Sequence, residues 1–150
     1  MMEKDAHGSF AFEFKSDYTL ISVSGAWNSE CASIYKALLE KRIQANPEQE
    51  RGVIIDARNW GFETPEATAE LAKLNQHIAS HFKKLYIAYL LSPENSQLTQ
   101  FLRNQSNVIF KQVIEWQFFT DLPDDVAWVG SHGINIKNLS EDDFPSPIPA

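Results

Sequence analysis

Apolar residues along this chain recur at two different intervals, and the switches between them mark out the elements. Phe10, Phe12 and Phe14 alternate with Ala11 and Glu13, the period of a half-buried strand. Asp17-Tyr18 reads as a turn, Thr19 to Ser24 as a second strand carrying Leu20 and Ile21, and Gly25 as its end. The interval then lengthens. Ala32, Tyr35, Leu39 and Ile43 form one face of a helix that Asn28 or Ser29 can cap and Asn46-Pro47 stops. Val53-Ile54-Ile55 is an unbroken β-branched run, the pattern of a strand covered on both sides. Thr64 then offers a hydroxyl to the free amides of a new helix, and Pro65 sits where a missing N–H costs nothing. Ala67, Leu71, Leu74 and Ile78 continue that helix.

The same alternation of strand and helix repeats once more. Leu85 to Leu91 is a strand, and Ser92-Pro93-Glu94 opens a helix with Leu98, Phe101, Leu102 and Val108 inward. Glu115 to Phe119 is a last strand, and Asp121 to Val129 a short closing helix with Val126 and Val129 inward. A hairpin followed by βα units predicts an α/β fold. Its sheet is mixed and mostly parallel, of about five strands with an antiparallel N-terminal hairpin, and about four helices pack against it. The organisation expected is a flexible N-terminus at 1–8, one α/β domain at 9–130, and a mobile, acidic, Pro-rich tail at 131–150.

Composition narrows the classes. The chain has 150 residues and 43% hydrophobic content, enough for one domain with a core. A net charge of -7 argues against nucleic acid and against anionic membrane surfaces. No apolar run approaches the length of a membrane span, and residues 1–8 lack the apolar core of a signal peptide. A single cysteine, Cys31, fits a reducing compartment. The expected location is the cytoplasm.

Four local patterns resemble a STAS domain, the fold of bacterial anti-sigma factor antagonists of the SpoIIAA type. The second strand leads into Gly25-Ala26-Trp27-Asn28, similar to the family's glycine, two residues and an acidic residue. Phe62-Glu63-Thr64-Pro65-Glu66-Ala67 stands where the family has an apolar position and an Asp-Ser-Ser/Thr-Gly helix start. The unit from Tyr86 to Asn95 has the family's strand, proline and helix, and Phe119 to Val129 its closing aromatic strand and helix. The resemblance covers residues 9 to 129. It implies the SpoIIAA-like fold and a non-enzymatic regulatory module that docks on a partner protein. In the family's regulatory members a serine at that helix start is phosphorylated; here Pro65 or Glu66 takes its place. The phospho-switch is therefore expected to be absent. Glu66 is an ordinary second helical residue favoured by the macrodipole, with a permanent phosphate-like charge as the alternative.

Isolated chemistry is sparse. Asp56 could be a catalytic carboxylate or phospho-acceptor, but the acidic pair and late lysine of a receiver are missing. It is expected to accept hydrogen bonds from loop amides, with Arg58 pairing with it or with Glu63. His77 and His81 are spaced to share a metal, yet lack a third ligand and the HExxH glutamate. Cys31, at a helix start, is expected to be a small buried side chain. No catalytic, cofactor-binding or metal-binding residues are assigned. Trp27 and Trp60 are read as exposed aromatics in loops at one end of the sheet. The expected partner-binding patch comprises Trp27, Asn28, Arg58, Asn59, Trp60, Phe62, Glu63, Thr64 and Glu66. Its partner would be a regulatory protein, with a homodimer also open. The alternative is a sensor of a small apolar or amphipathic ligand. A packed core with an exposed aromatic patch favours the first reading, and an apolar cavity favours the second.

Overall fold

In the computed structural model, residues 7–45, 50–81, 83–94, 113–136 and 138–150 are described. The elements run in the order β1 (Ser9–Phe14), β2 (Tyr18–Trp27), α1 (Ser29–Ala45), β3 (Glu50–Glu63), α2 (Pro65–His81), β4 (Lys84–Leu90), β5 (Ile114–Phe119), α3 (Leu122–Ser131), a 3-10 turn (Glu141–Asp143) and β6 (Ile148–Pro149). One sheet of six strands has the order β5-β4-β3-β2-β1-β6. β2, β3, β4 and β5 are parallel, and β1 is antiparallel to both β2 and β6. This is the mixed sheet with an N-terminal hairpin that the sequence predicts. The helix expected from Ser92 to Val108 lies outside the described residues, apart from its opening Ser92-Pro93-Glu94.

The continuous run in β3 is explained by two layers. Val53 and Ile55 belong to a core with Ile21, Tyr35, Leu39, Leu74, Ile78 and Ile87, under α1 and α2. Ile54, one residue out of phase, belongs to a second core with Leu20, Ala88, Val129 and Ile134, under α3. Successive side chains of a strand point to opposite faces, so the sheet is covered on both. The helices begin as the sequence predicts. The Thr64 hydroxyl accepts the Ala67 N–H at 3.1 Å, and Asn28 Oδ1 accepts the Cys31 N–H at 3.0 Å.

Three expectations are corrected. First, β2 does not end at Gly25 but runs to Trp27, and β3 runs on through Arg58, Asn59 and Trp60 to Glu63. The pairing slips on the way: Ser22 lies opposite Asp56, but Ser24 lies opposite Asn59. Two steps of β2 match three of β3, which is a bulge. Gly25, at φ +78, supplies the left-handed residue the distorted segment needs. Second, Trp60 is not in a loop. The extra residue reverses its parity, so it shares the face of its partner Gly25 and enters the core under α1 and α2. Third, residues 131–150 do not trail away. Ile134 is buried, Ile136, Leu139 and Phe144 pack on the second core, and Ile148-Pro149 pairs with Ser9-Phe10 as β6.

Candidate functional site

Two places hold chemistry. The larger is a cavity of about 330 Å³ between the sheet and the α1–α2 pair. Its floor is Ile21, Val23, Val53, Ile55 and Ile87, and its roof is Tyr35 and Leu39 from α1 with Leu71, Leu74 and Ile78 from α2. Trp27, Trp60 and Tyr89 also line it, and Lys15, Arg42 and Arg51 bring charge to it. Trp27 and Trp60 meet edge-on with ring centroids 5.5 Å apart, and Trp27 also packs on Tyr35 and Phe10. The Trp27 indole N–H donates to the Ser24 carbonyl at 3.1 Å.

The second place is polar and lies on the opposite face, midway along β3. Arg58 donates from Nε and Nη2 to the two Asp56 oxygens, each at 2.9 Å, and from Nη1 to Glu141 at 3.0 Å. The Arg58 N–H also donates to Asp56 at 3.2 Å. These carboxylates hold the guanidinium pKa above its ordinary value, Asp56 most strongly. Asp56 thus accepts a backbone amide, as expected, and Glu141 is a partner that sequence reading missed. Beside this pair Asp125 is fully buried in the first turn of α3. Neither of its oxygens, nor Ser22 Oγ, has a hydrogen-bond partner among the described residues. Burial, with Asp56 nearby, pushes the Asp125 carboxyl up to about 8, so it is mostly neutral at pH 7.

The residues of the expected patch divide between these surroundings. The two segments do meet at one end of the sheet: Trp27 pairs with Glu63, and the Thr64 N–H donates to the Trp27 carbonyl at 3.0 Å. Trp27 is only 1% exposed and Trp60 only 8%, so neither is a surface anchor. Asn28 is occupied as the α1 cap and also accepts the His7 N–H. Arg58 is turned to the polar cluster. Asn59, Thr64 and Glu66 are exposed. Phe62 and Glu63 end β3, and their side chains lie outside the described residues.

The other candidates resolve by contact. Cys31 is buried, and burial raises its thiol to about 12, so it is a packing residue and not a nucleophile. His77 faces Glu40 of α1, Nδ1 to Oε2 at 3.6 Å. No group of three or more metal-ligating side chains is found among the described residues. No helix among them is long and apolar enough to cross a membrane.

No family model matches the sequence, and no curated protein matches it. Among solved structures, the chain is similar to a protein of the DUF3478 family from Shewanella loihica PV-4, described as uncharacterised with a SpoIIAA-like fold. The two share 22% identity at a TM-score of 0.62, over 86% of this chain and 99% of that one. That likeness, together with the strand order and helix placement, gives this chain a SpoIIAA-like fold.

Proposed function

We propose that this chain is a non-enzymatic binding domain that holds a small apolar or amphipathic molecule between its helices and its sheet, acting in the cytoplasm as a sensor. The observation that carries this reading is the cavity of about 330 Å³ under α1 and α2. Ligand pockets begin at about 300 Å³ and are mostly apolar with a few polar groups at fixed points. Aliphatic side chains, two tryptophans and two tyrosines wall this one, with Asn75, Thr19 and the cations as its polar points.

Native mass spectrometry of protein isolated from its own host tests the reading. The expected result is a population one small molecule heavier than the chain, with the extra mass removed by solvent extraction. A mass equal to the bare chain, together with no uptake of an apolar dye into the folded domain, would sink it.

The second reading is docking on a regulatory partner protein, in the manner the resemblance to anti-sigma factor antagonists implies. Exposed Ile34 and Leu38, one turn apart on α1, favour it, and a second copy of the chain is one candidate partner. It ranks behind because its aromatic anchors, Trp27 and Trp60, are buried. Under either reading no serine switch operates at the start of α2. Pro65 and Glu66 offer no hydroxyl, and the Thr64 hydroxyl is engaged as the cap.

A further inference from the structure

The charges around the cavity are not spread evenly. Three lining residues are cations, Lys15, Arg42 and Arg51, and no Asp or Glu lines it among the described residues. The chain as a whole carries a net charge of -7, so a cationic lining runs against the overall balance. The three come from separate elements: Lys15 from the β1–β2 turn, Arg42 from the last turn of α1, and Arg51 from the start of β3. All three elements reach the same end of the sheet, because α1 runs back from the end of β2 to the start of β3. Trp27 and Trp60 lie toward the carboxyl ends of β2 and β3, the opposite end. The cavity therefore has a cationic end and an aromatic end.

The cations are held differently. Arg51 is buried and fixed, donating to Thr19 Oγ1 at 3.0 Å and to the carbonyls of Lys15, Ser16 and Tyr18. Arg42 is exposed and rests over the Phe14 ring at 4.1 Å from its centroid. Lys15 is exposed and pairs with Glu13 at 2.7 Å. A surface pair of that kind contributes little and exchanges readily. A cation at a helix C-terminus is favoured by the macrodipole, which alone accounts for Arg42. Arg51 is placed by the turn it holds and Lys15 lies beside Glu13, and both reach the same end of the cavity as Arg42.

We infer that the ligand is a single-chain anionic amphiphile, an alkyl chain ending in a negatively charged group, lying with its tail toward Trp27 and Trp60 and its head at the rim of Lys15 and Arg42. This rests on the ligand-binding reading above. Arg51 adds a fixed positive field at the head end. The inward positions from Arg51 to Ile55 on β3 span about 13 Å at 3.3 Å per residue, room for a medium-length alkyl chain.

Titration calorimetry of the full chain with decanoate, decanol and decyltrimethylammonium, at low and high salt, tests the inference. Decanoate is expected to bind at least about tenfold more tightly than decanol, with the advantage shrinking as salt rises. Decyltrimethylammonium is expected to be weakest. In the double variant Lys15→Gln, Arg42→Gln the ratio of decanoate to decanol affinity should fall toward one. Equal binding of decanoate and decanol in the wild type would overturn the anionic assignment while leaving the cavity reading intact. Saturable binding of none of the three would remove the cavity reading itself. Flotation with vesicles of phosphatidylglycerol, without binding of monomeric decanoate, would assign the cationic rim to a lipid surface instead and overturn the inference.

Discussion

A methyl group added at Gly52 would come within 2.8 Å of Val129 on the α3 side of the sheet, while on the other side a pocket of about 330 Å³ lies between the strands and the α1–α2 pair. The same strands floor both layers, so the difference comes from what covers them. On the α3 side the cover is a ten-residue helix with apolar residues of the C-terminal segment tucked beneath it, and the space is closed down to a glycine. On the other side two seventeen-residue helices meet through Lys36, Glu40, Glu70 and His77 on their polar flanks. Those flank contacts brace the helices against each other above the sheet. The tight layer serves as a platform, and its own expensive feature is a buried carboxyl. The loose layer is where binding can happen.

The largest expected effect falls on the aromatic wall of the loose layer. Trp60→Ala should cost about 3–5 kcal/mol, as buried tryptophan truncations do, because it deletes a core ring that walls the pocket. Chemical denaturation measures this. A loss below about 1 kcal/mol would mean that Trp60 is not seated in the core, and would restore it as a surface anchor.

Asp125 tests the platform. An unfolded Asp releases its proton near pH 4, whereas the native carboxyl keeps it to about pH 8. Between those values the unfolded state binds fewer protons, so stability falls as pH rises through the window and is lowest above it. The loss by pH 7 should reach up to about 4 kcal/mol. Asp125→Asn should flatten the slope and be the more stable protein at pH 7. Denaturation midpoints at several pH values check this, and parallel curves for the two proteins would contradict it.

Overpacking separates the two layers directly. Gly52→Ala should destabilise by about 1–3 kcal/mol, since its Cβ meets Val129 at 2.8 Å and Ile134 at 3.2 Å. Leu74→Phe, which grows into the cavity, should stay within about 1 kcal/mol of wild type and weaken uptake of an apolar dye. Similar costs for both would show the two layers to be equally tight.

The smallest effect belongs to the junction at the start of α2. Thr64→Ala should remove the acceptor for the Ala67 N–H and cost about 0.5–2 kcal/mol, with Thr64→Ser nearly neutral. Equal melting temperatures for wild type and Thr64→Ala would show that the cap carries no stability.

What could be read in the sequence was what depends on near neighbours. Thr64-Pro65 gives a helix start because cap and first turn lie within four residues. Val53 to Ile55 reads as doubly covered because the run itself is the signal. Trp60 was misplaced because its direction depends on a bulge, and the bulge depends on how β3 pairs with β2. Trp27 was misplaced because Gly25 resembles a strand end and in fact allows the strand to continue. Asp125 stands beside Asp124 in the first turn of a helix, where acids are common, and nothing local says that it faces inward. In the C-terminal segment, Ile134, Ile136, Leu139 and Phe144 were a visible apolar signal, masked by the prolines and acids around them.

β6 has a consequence for how the chain reaches this state. β1 carries three phenylalanines, and without Ile148-Pro149 against it the outer hydrogen-bonding row at Ser9-Phe10 would be bare. An open apolar edge is a template for pairing with other chains. Its cover is encoded about 140 residues after Ser9. During synthesis from the N-terminus, at roughly 5–20 residues per second, the hairpin must wait many seconds with that edge uncapped. Until residues 148–149 arrive, the Ser9-Phe10 part of that edge is open to pairing with another nascent chain.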